Sequence, residues 1–219
     1  MKKNYEVILF DLDGTLTDSG PGIVNGFEYA ITKMGGTVED RSSLRRFVGP
    51  PLEESFGKIL GYSKEDTQKA ITIYREYYFG KGGVFENEVY PGVEDMLKEL
   101  KQTGKKLAVA TSKVLKGTIL VLEHFGLNQY FNFISATNDV TVVTKEDVIR
   151  QVLEHYGIED TNKVLMVGDR KYDIEAANEI GIDSVGVLWG YGGREELETS
   201  GATYIVESPE EVLSLVKEN

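Results

Sequence analysis

The chain has 219 residues, with 24 Lys+Arg against 36 Asp+Glu, a formal net charge of −12 and no cysteine. Its length suits one large domain, or a core domain with a smaller one inserted. Without cysteine there is no disulfide framework, thiolate nucleophile or Cys-ligated zinc; two histidines, His124 and His155, exclude a His-rich metal site; and the acidity argues against a nucleic-acid polymer or an anionic membrane surface as partner.

From the start, Met1-Lys2-Lys3 leads into the apolar run Val7–Phe10, which Asp11 ends too early for a signal peptide. No apolar stretch approaches the roughly 20 residues of a membrane helix, so a cytoplasmic protein is expected. Tyr5–Phe10 reads as the first buried strand. After it the strand signal lapses over residues 17–89. Helix signals replace it at Pro21–Met34, Ser42–Phe47, Leu52–Leu60 and Ser63–Phe79, punctuated by Gly35-Gly36, Gly49-Pro50-Pro51 and Gly80–Gly83. This stretch reads as a small all-α domain, 17–89, inserted into a core made of 1–16 and 90–219.

Tyr90-Pro91-Gly92 marks the return to the core. Strands are expected at Lys106–Thr111, Phe131–Ala136, Val164–Val167, Ser184–Leu188 and, more weakly, Tyr204–Val206. Between and after them run helix-period segments at Val93–Gln102, Lys116–Phe125, Lys145–Tyr156, Asp173–Ile180 and Glu210–Val216. Strands alternating with helices imply an α/β fold with a doubly wound, mostly parallel sheet. Thr144-x-x-Asp147 and Ser208-x-x-Glu211 match the capping box, in which short side chains accept from unpaired N–H groups at a helix start.

The first strand runs into Asp11-Leu12-Asp13-Gly14-Thr15. Side chains alternate along a strand, so extended geometry would put both carboxylates on one side at the carboxyl edge, where open α/β sheets bind ligands. Two like charges so close call for a cation or a proton. Alone, the motif is equally a polar turn. A second acidic pair, Asp169 and Asp173, follows the fourth strand and reaches the same edge if the strands are parallel; by itself it is an ordinary acidic helix start. Thr111 and Ser112, at the end of the second strand, offer hydroxyls for a phosphate oxygen. Lys145 opens a helix, where a cation is unfavourable, and so asks for an anionic partner.

Together, Asp11-Leu12-Asp13-Gly14-Thr15, Thr111, Lys145 and Gly168-Asp169…Asp173 resemble the four ordered motifs of the haloacid dehalogenase (HAD) superfamily of phosphohydrolases, close to its phosphoglycolate phosphatase-like branch. The likeness covers the whole chain, the helical insertion corresponding to that family's small cap. It implies a Rossmann-like core, a magnesium ion, and hydrolysis of a small phosphomonoester through an aspartyl-phosphate. By the same resemblance Asp11 is the nucleophile and Asp13 the general acid and base. Asp11, the Asp13 backbone carbonyl and Asp169 bind the metal, with Asp173 as an orienter or water-mediated ligand. Lys145, Thr111 and Ser112 hold phosphate oxygens. Arg45 and Arg46 fall in the cap segment that reads the substrate, though either is equally a solvated helix residue.

Asp13 argues for phosphate chemistry, since a halide leaves without a proton. Phosphoglycolate, a nucleoside monophosphate, a sugar phosphate and pyrophosphate all remain open, as does a phosphomutase. A phospho-accepting receiver module is disfavoured by Asp13 and by the insertion. Neither Gly-x-Gly-x-x-Gly nor a Gly-x-x-x-x-Gly-Lys loop is present. Trp189 and Tyr191, set among glycines after the fifth strand, either border the site or belong to a loop packed on the core, the second being the preferred reading, and the sequence carries no signal for oligomeric state.

Overall fold

The structure is a computed structural model and describes residues 3–138 and 143–218; Met1 and Lys2, on which the leader argument began, lie outside it. The chain divides into two compact units, one of Met1–Thr17 with Val89–Asn219 and the other Asp18–Glu88.

The first unit is built on a six-stranded sheet, all of whose pairings are parallel. Its strands are β1 (Val7–Phe10), β4 (Lys106–Val114), β5 (Phe133–Thr137), β6 (Val164–Gly168), β7 (Asp183–Val187) and β8 (Tyr204–Val206), in the order β5-β4-β1-β6-β7-β8. All four residues of β1 are buried, as a strand covered on both faces requires. Val7 and Leu9 join Ala108, Ala110, Val164 and Met166 in a core against α5 (Lys145–Tyr156) and α6 (Lys171–Ile180). The alternate residues Ile8 and Phe10 face the other way, because side chains alternate along a strand. There α3 (Val93–Gln102) packs with α8 (Pro209–Glu218) and against β4.

The chain leaves β1 toward β4 and returns across it to β6, so the strand order reverses between β1 and β6. In open α/β sheets such a switch point opens a crevice at the carboxyl ends of the strands. Register places the residues that line it. Phe10 lies beside Val109 and Val167, and Asp11 N–H continues the ladder to the Val167 carbonyl at 2.9 Å.

Two core elements differ from the sequence reading. Strand β4 continues past Thr111 to Val114, with a register shift between those residues. Thr111 Oγ1 accepts from Lys113 N–H at 3.2 Å, so the hydroxyl supplies a local turn inside the strand's last third. A helix the periodicity did not reveal, α7 (Arg194–Thr199), follows β7; only Leu197 of its six residues is buried, which leaves no apolar period to read.

The second unit is helical. It holds α1 (Gly20–Lys33) and α2 (Lys64–Arg75), which pack together. Three further segments expected as helix take other windings. Arg41–Phe47 is a 3-10 helix, Glu54–Ile59 a π-helix, and Glu76–Gly80 a π turn that ends α2. Phe27 sits at the centre, its ring 4.6 Å from Phe47, 4.7 Å from Phe56 and 5.2 Å from Tyr74. These four aromatics are buried. Ser63, as the sequence suggests, caps α2 by accepting from Asp66 N–H at 3.1 Å. Two-residue strands β2 (Thr17–Asp18) and β3 (Glu88–Val89) pair where the chain enters and leaves this unit. Among the described residues no helix is long and apolar enough to cross a membrane.

Candidate active site

Strand ends and helix starts deliver the site. Asp11 is the first residue beyond β1 and Asp169 the first beyond β6. Lys145 is the first residue of α5, whose start is locked by a full capping box: Asp147 N–H donates to Thr144 Oγ1 at 3.2 Å, and Thr144 N–H to Asp147 Oδ2 at 2.9 Å. Asp173 is the third residue of α6, and its Oδ2 accepts from Arg170 N–H at 3.1 Å. It therefore caps its helix while its other oxygen meets Lys145. Between Asp11 and Thr17 the backbone folds into a tight turn, with Leu12 O accepting from Leu16 and Thr17 N–H at 3.0 and 3.1 Å. Gly14 has φ +88°, and a Cβ there would stand 2.3 Å from Asp169 Oδ2, so this turn admits only glycine beside the acid.

Asp11, Asp169 and Asp173 are all buried and can each offer a carboxylate oxygen, the three atoms lying within 4.8 Å of one another. Lys145 stands among them, its Nζ 2.8 Å from Asp11 Oδ1 and 2.6 Å from Asp173 Oδ1. Thr15 Oγ1 donates to Asp169 Oδ1 at 3.3 Å and Tyr191 N–H to Oδ2 at 2.8 Å. Burial drives the Asp169 carboxyl well above the ordinary range; the charges of Asp173 and Asp11 push it further, against the Tyr191 N–H and Arg170. Burial also raises Asp173, to about 6, with Lys145 opposing and Asp11 adding to the rise. On Lys145 burial acts downward, yet the two carboxylates outweigh it and hold the ammonium above its usual range. Three buried carboxylates around one ammonium leave excess negative charge on hard oxygen donors, which fits a divalent cation.

Asp13 departs from the expected paired acids. Its carboxylate lies outside the group of three and is held by a second lysine, Lys113, whose Nζ is 3.0 Å from each of its oxygens. Thr111 is buried within the neighbouring strand, just before its register shift, and Ser112 accepts through its carbonyl from Thr137 Oγ1 at 3.0 Å. Arg45 and Arg46 are exposed in the helical unit, and the Arg46 guanidinium lies 4.9 Å from the Phe47 ring centre. His155 stacks on Phe133 at 3.9 Å.

Lys113 and Thr15 were assigned no part by the sequence reading, which left Tyr191 between the border of the site and a packed loop. Charge carried the signal for Lys113, since an acid at one strand end asks for a cation at the end of the next. Trp189 and Tyr191 do more than pack. The loop after β7 puts the Tyr191 N–H on Asp169, and Trp189 Nε1 donates to the Thr15 carbonyl at 3.0 Å. A backbone donor carries no residue-type signature, so no reading of side chains could find it.

The family model for haloacid dehalogenase-like hydrolases matches residues 8–187 of this chain. The chain belongs to that family. A predicted phosphatase from Clostridium acetobutylicum shares 44% sequence identity, with a TM-score of 0.94 over 99% of this chain and 100% of that one. A 5'-nucleotidase of Pseudomonas aeruginosa is 35% identical over 91% of this chain and 90% of its own length. The tyrosine-protein kinase PtkA of Mycobacterium tuberculosis is 36% identical over 91% of this chain and 68% of its own length. This HAD-family chain is a phosphatase: its acidic switch point and its phosphatase relatives agree.

Proposed function

We propose that this HAD phosphatase hydrolyses a small phosphomonoester in two transfers through Asp11. An Asp11 carboxylate oxygen attacks phosphorus as the bond to the leaving oxygen breaks, and the product is an aspartyl-phosphate. Asp13 gives its proton to the leaving oxygen, then takes one from the water that attacks the phosphoenzyme, which returns Asp11 and releases phosphate. Lys145 balances the charge on Asp11 and on a phosphoryl oxygen. The Thr111 hydroxyl has its lone pair engaged by Lys113 N–H, which leaves its proton for a phosphoryl oxygen, and Ser112 adds a further donor. Magnesium, the usual metal of HAD phosphatases, would be held by Asp11, the Asp13 carbonyl and Asp169, with Asp173 orienting. When bound it supplies neutralisation of phosphoryl charge.

The observation that carries this reading is Lys145 set between Asp11 and Asp173 beside a fully buried Asp169. Phosphoryl transfer needs positioning and charge stabilisation, and this set offers both. The helical unit, 17–89, is assigned the cap's part, with Arg45 or Arg46 reading a second anionic group on the substrate. Phosphoglycolate is the leading substrate on the branch resemblance. A kcat/KM screen with magnesium over phosphoglycolate, nucleoside monophosphates, sugar phosphates and pyrophosphate tests this, joined to acid-quench trapping of a phosphoenzyme. A labelled aspartate at position 11 is expected. Turnover without any trapped phosphoenzyme under single-turnover conditions would count against Asp11 as nucleophile.

A further inference from the structure

Asp169 is gripped by the segment that follows β7. Besides the Tyr191 N–H, backbone lies directly against the acid. A Cβ at Gly192 would stand 2.0 Å from the Asp169 carbonyl oxygen. Directly after this loop comes α7, and its third residue, Glu196, reaches back. Glu196 Oε1 accepts from Arg170 Nε and from Lys171 N–H, each at 2.9 Å. Arg170 and Lys171 are the two residues after Asp169. Segments 169–171 and 190–196 are therefore clamped twice, once on the Asp169 carboxylate and once at the start of α6.

The second clamp differs from an ordinary surface ion pair, which contributes little. The Arg170 side chain is only 12% exposed and that of Glu196 29%. Lys171 N–H belongs to the first helical turn, where no helix carbonyl is in reach, and Glu196 satisfies it from another element. Burial alone would raise the Glu196 carboxyl, but Arg170 and the Lys171 N–H outweigh it and keep it ionised. No step of the reaction uses Glu196.

We propose that Glu196, acting through Arg170 and the first turn of α6, is a positioning residue that sets the divalent-metal affinity of the site by fixing Asp169. This inference rests on the reading of Asp169 as a metal ligand. Groups that orient a ligand typically govern metal affinity by about 10–100-fold. Removal of the Glu196 carboxylate takes from Arg170 its ion-pair partner on α7 and from the Lys171 N–H this acceptor. The loop that holds Asp169 Oδ2 then loses its anchor.

Calorimetric titration of magnesium into the wild type, Glu196→Gln and Glu196→Ala tests this without relying on turnover. Glu196→Ala is expected to weaken magnesium binding about 10-fold or more. Glu196→Gln, which keeps an acceptor for Lys171 N–H, should fall between Ala and the wild type. With saturating magnesium, kcat on an aryl phosphate should return to near the wild-type value in both. Unchanged affinity in a variant with a lowered Tm would overturn the inference and leave Glu196 as a strut of the fold. If Glu196→Ala does not fold, Glu196→Gln decides by the same criterion. No magnesium binding by the wild type would instead remove the metal reading itself, and this inference with it.

Discussion

The two units bury different things. In the sheet-based unit the buried charged groups, Asp11, Asp169, Asp173 and Lys145, crowd at one edge, while hydroxyls such as Thr118, Ser135 and Ser184 are buried elsewhere in it. In the helical unit the centre is aromatic, with Phe27, Phe47, Phe56 and Tyr74 ring against ring, and the buried polar residues, Ser19, Ser55, Thr67 and Asn87, carry no charge. Formal charge divides the same way. Residues 17–89 hold 9 Lys+Arg and 11 Asp+Glu, so most of the chain's −12 belongs to the remainder. One unit stores electrostatic tension that a ligand can relieve, while the other gains its order from packing. Substitutions should therefore affect chemistry in the first and stability in the second.

The sharpest break in that comparison is Asp11→Asn. It removes the nucleophile while keeping side-chain size, and takes one negative charge out of the crowded edge. Turnover of an aryl phosphate with magnesium should fall to background, with the circular dichroism spectrum unchanged. Full residual activity would exclude Asp11 from the chemistry. Phe27→Ala is the counterpart in the helical unit. A fully buried aromatic lost from a packed centre costs about 3–5 kcal/mol. Denaturant unfolding should show that loss, and a cost below about 1 kcal/mol would mean the aromatic centre contributes little.

A smaller effect is expected from Lys113→Met. The lysine holds the Asp13 carboxylate by both oxygens, and Asp13 is the proposed acid and base. Loss of a general acid costs about 10²–10⁴-fold, and loosening one should cost less, on the order of 10-fold. The loss should be greater for esters with poor leaving groups than for aryl phosphates. Equal losses across leaving groups would show that Lys113 serves phosphate binding and not Asp13.

Metal removal and pH probe the stored tension directly. Asp169 and Asp173 have raised carboxyls in the metal-free fold, Asp173 at about 6. An unfolded chain releases those protons near pH 3.9. Between roughly pH 4 and pH 6 the folded state thus binds more protons than the unfolded one, so its stability falls as pH rises. The raised Lys145 titrates far above this window and leaves the slope unchanged. Metal-free protein should melt lower at pH 7 than at pH 5, and magnesium should restore Tm at pH 7 more than at pH 5. A flat metal-free profile would show that the carboxylates are relieved in some other way.

Legibility in the sequence followed the same division. The core strands were readable because each is a short apolar run, and the switch-point acids because they stand where those runs stop. The exceptions have local causes. The last third of β4 opens on the polar Ser112-Lys113 and is turned by the Thr111 hydroxyl, and α7 has one buried residue. Lys113 escaped the sequence reading, because pairing it with Asp13 needs the register of two strands distant in the chain. In the helical unit the apolar pattern located helix but not its winding. Helices of i→i+3 and i→i+5 bonding place aromatics differently from α-helix while using the same residues.

Arg46 is where the two units' contrasting roles can be separated within one side chain. Its guanidinium lies 4.9 Å from the Phe47 ring centre, a contact worth about 0.5–1 kcal/mol at an exposed site. A residue that only covers Phe47 should, when cut to alanine, lower Tm slightly and leave the order of substrates alone. A residue that also reads a second anionic group should lower kcat/KM for doubly anionic esters more than for an aryl phosphate, which lacks that group. Arg46→Ala is expected to do the second, with a change in ranking across the ester panel of several-fold at most. Arg45→Ala serves as the comparison, because Arg45 is exposed on the same 3-10 helix. A shared Tm loss with an unchanged ranking would return both arginines to packing and solvation, and would leave recognition in the helical unit to other side chains.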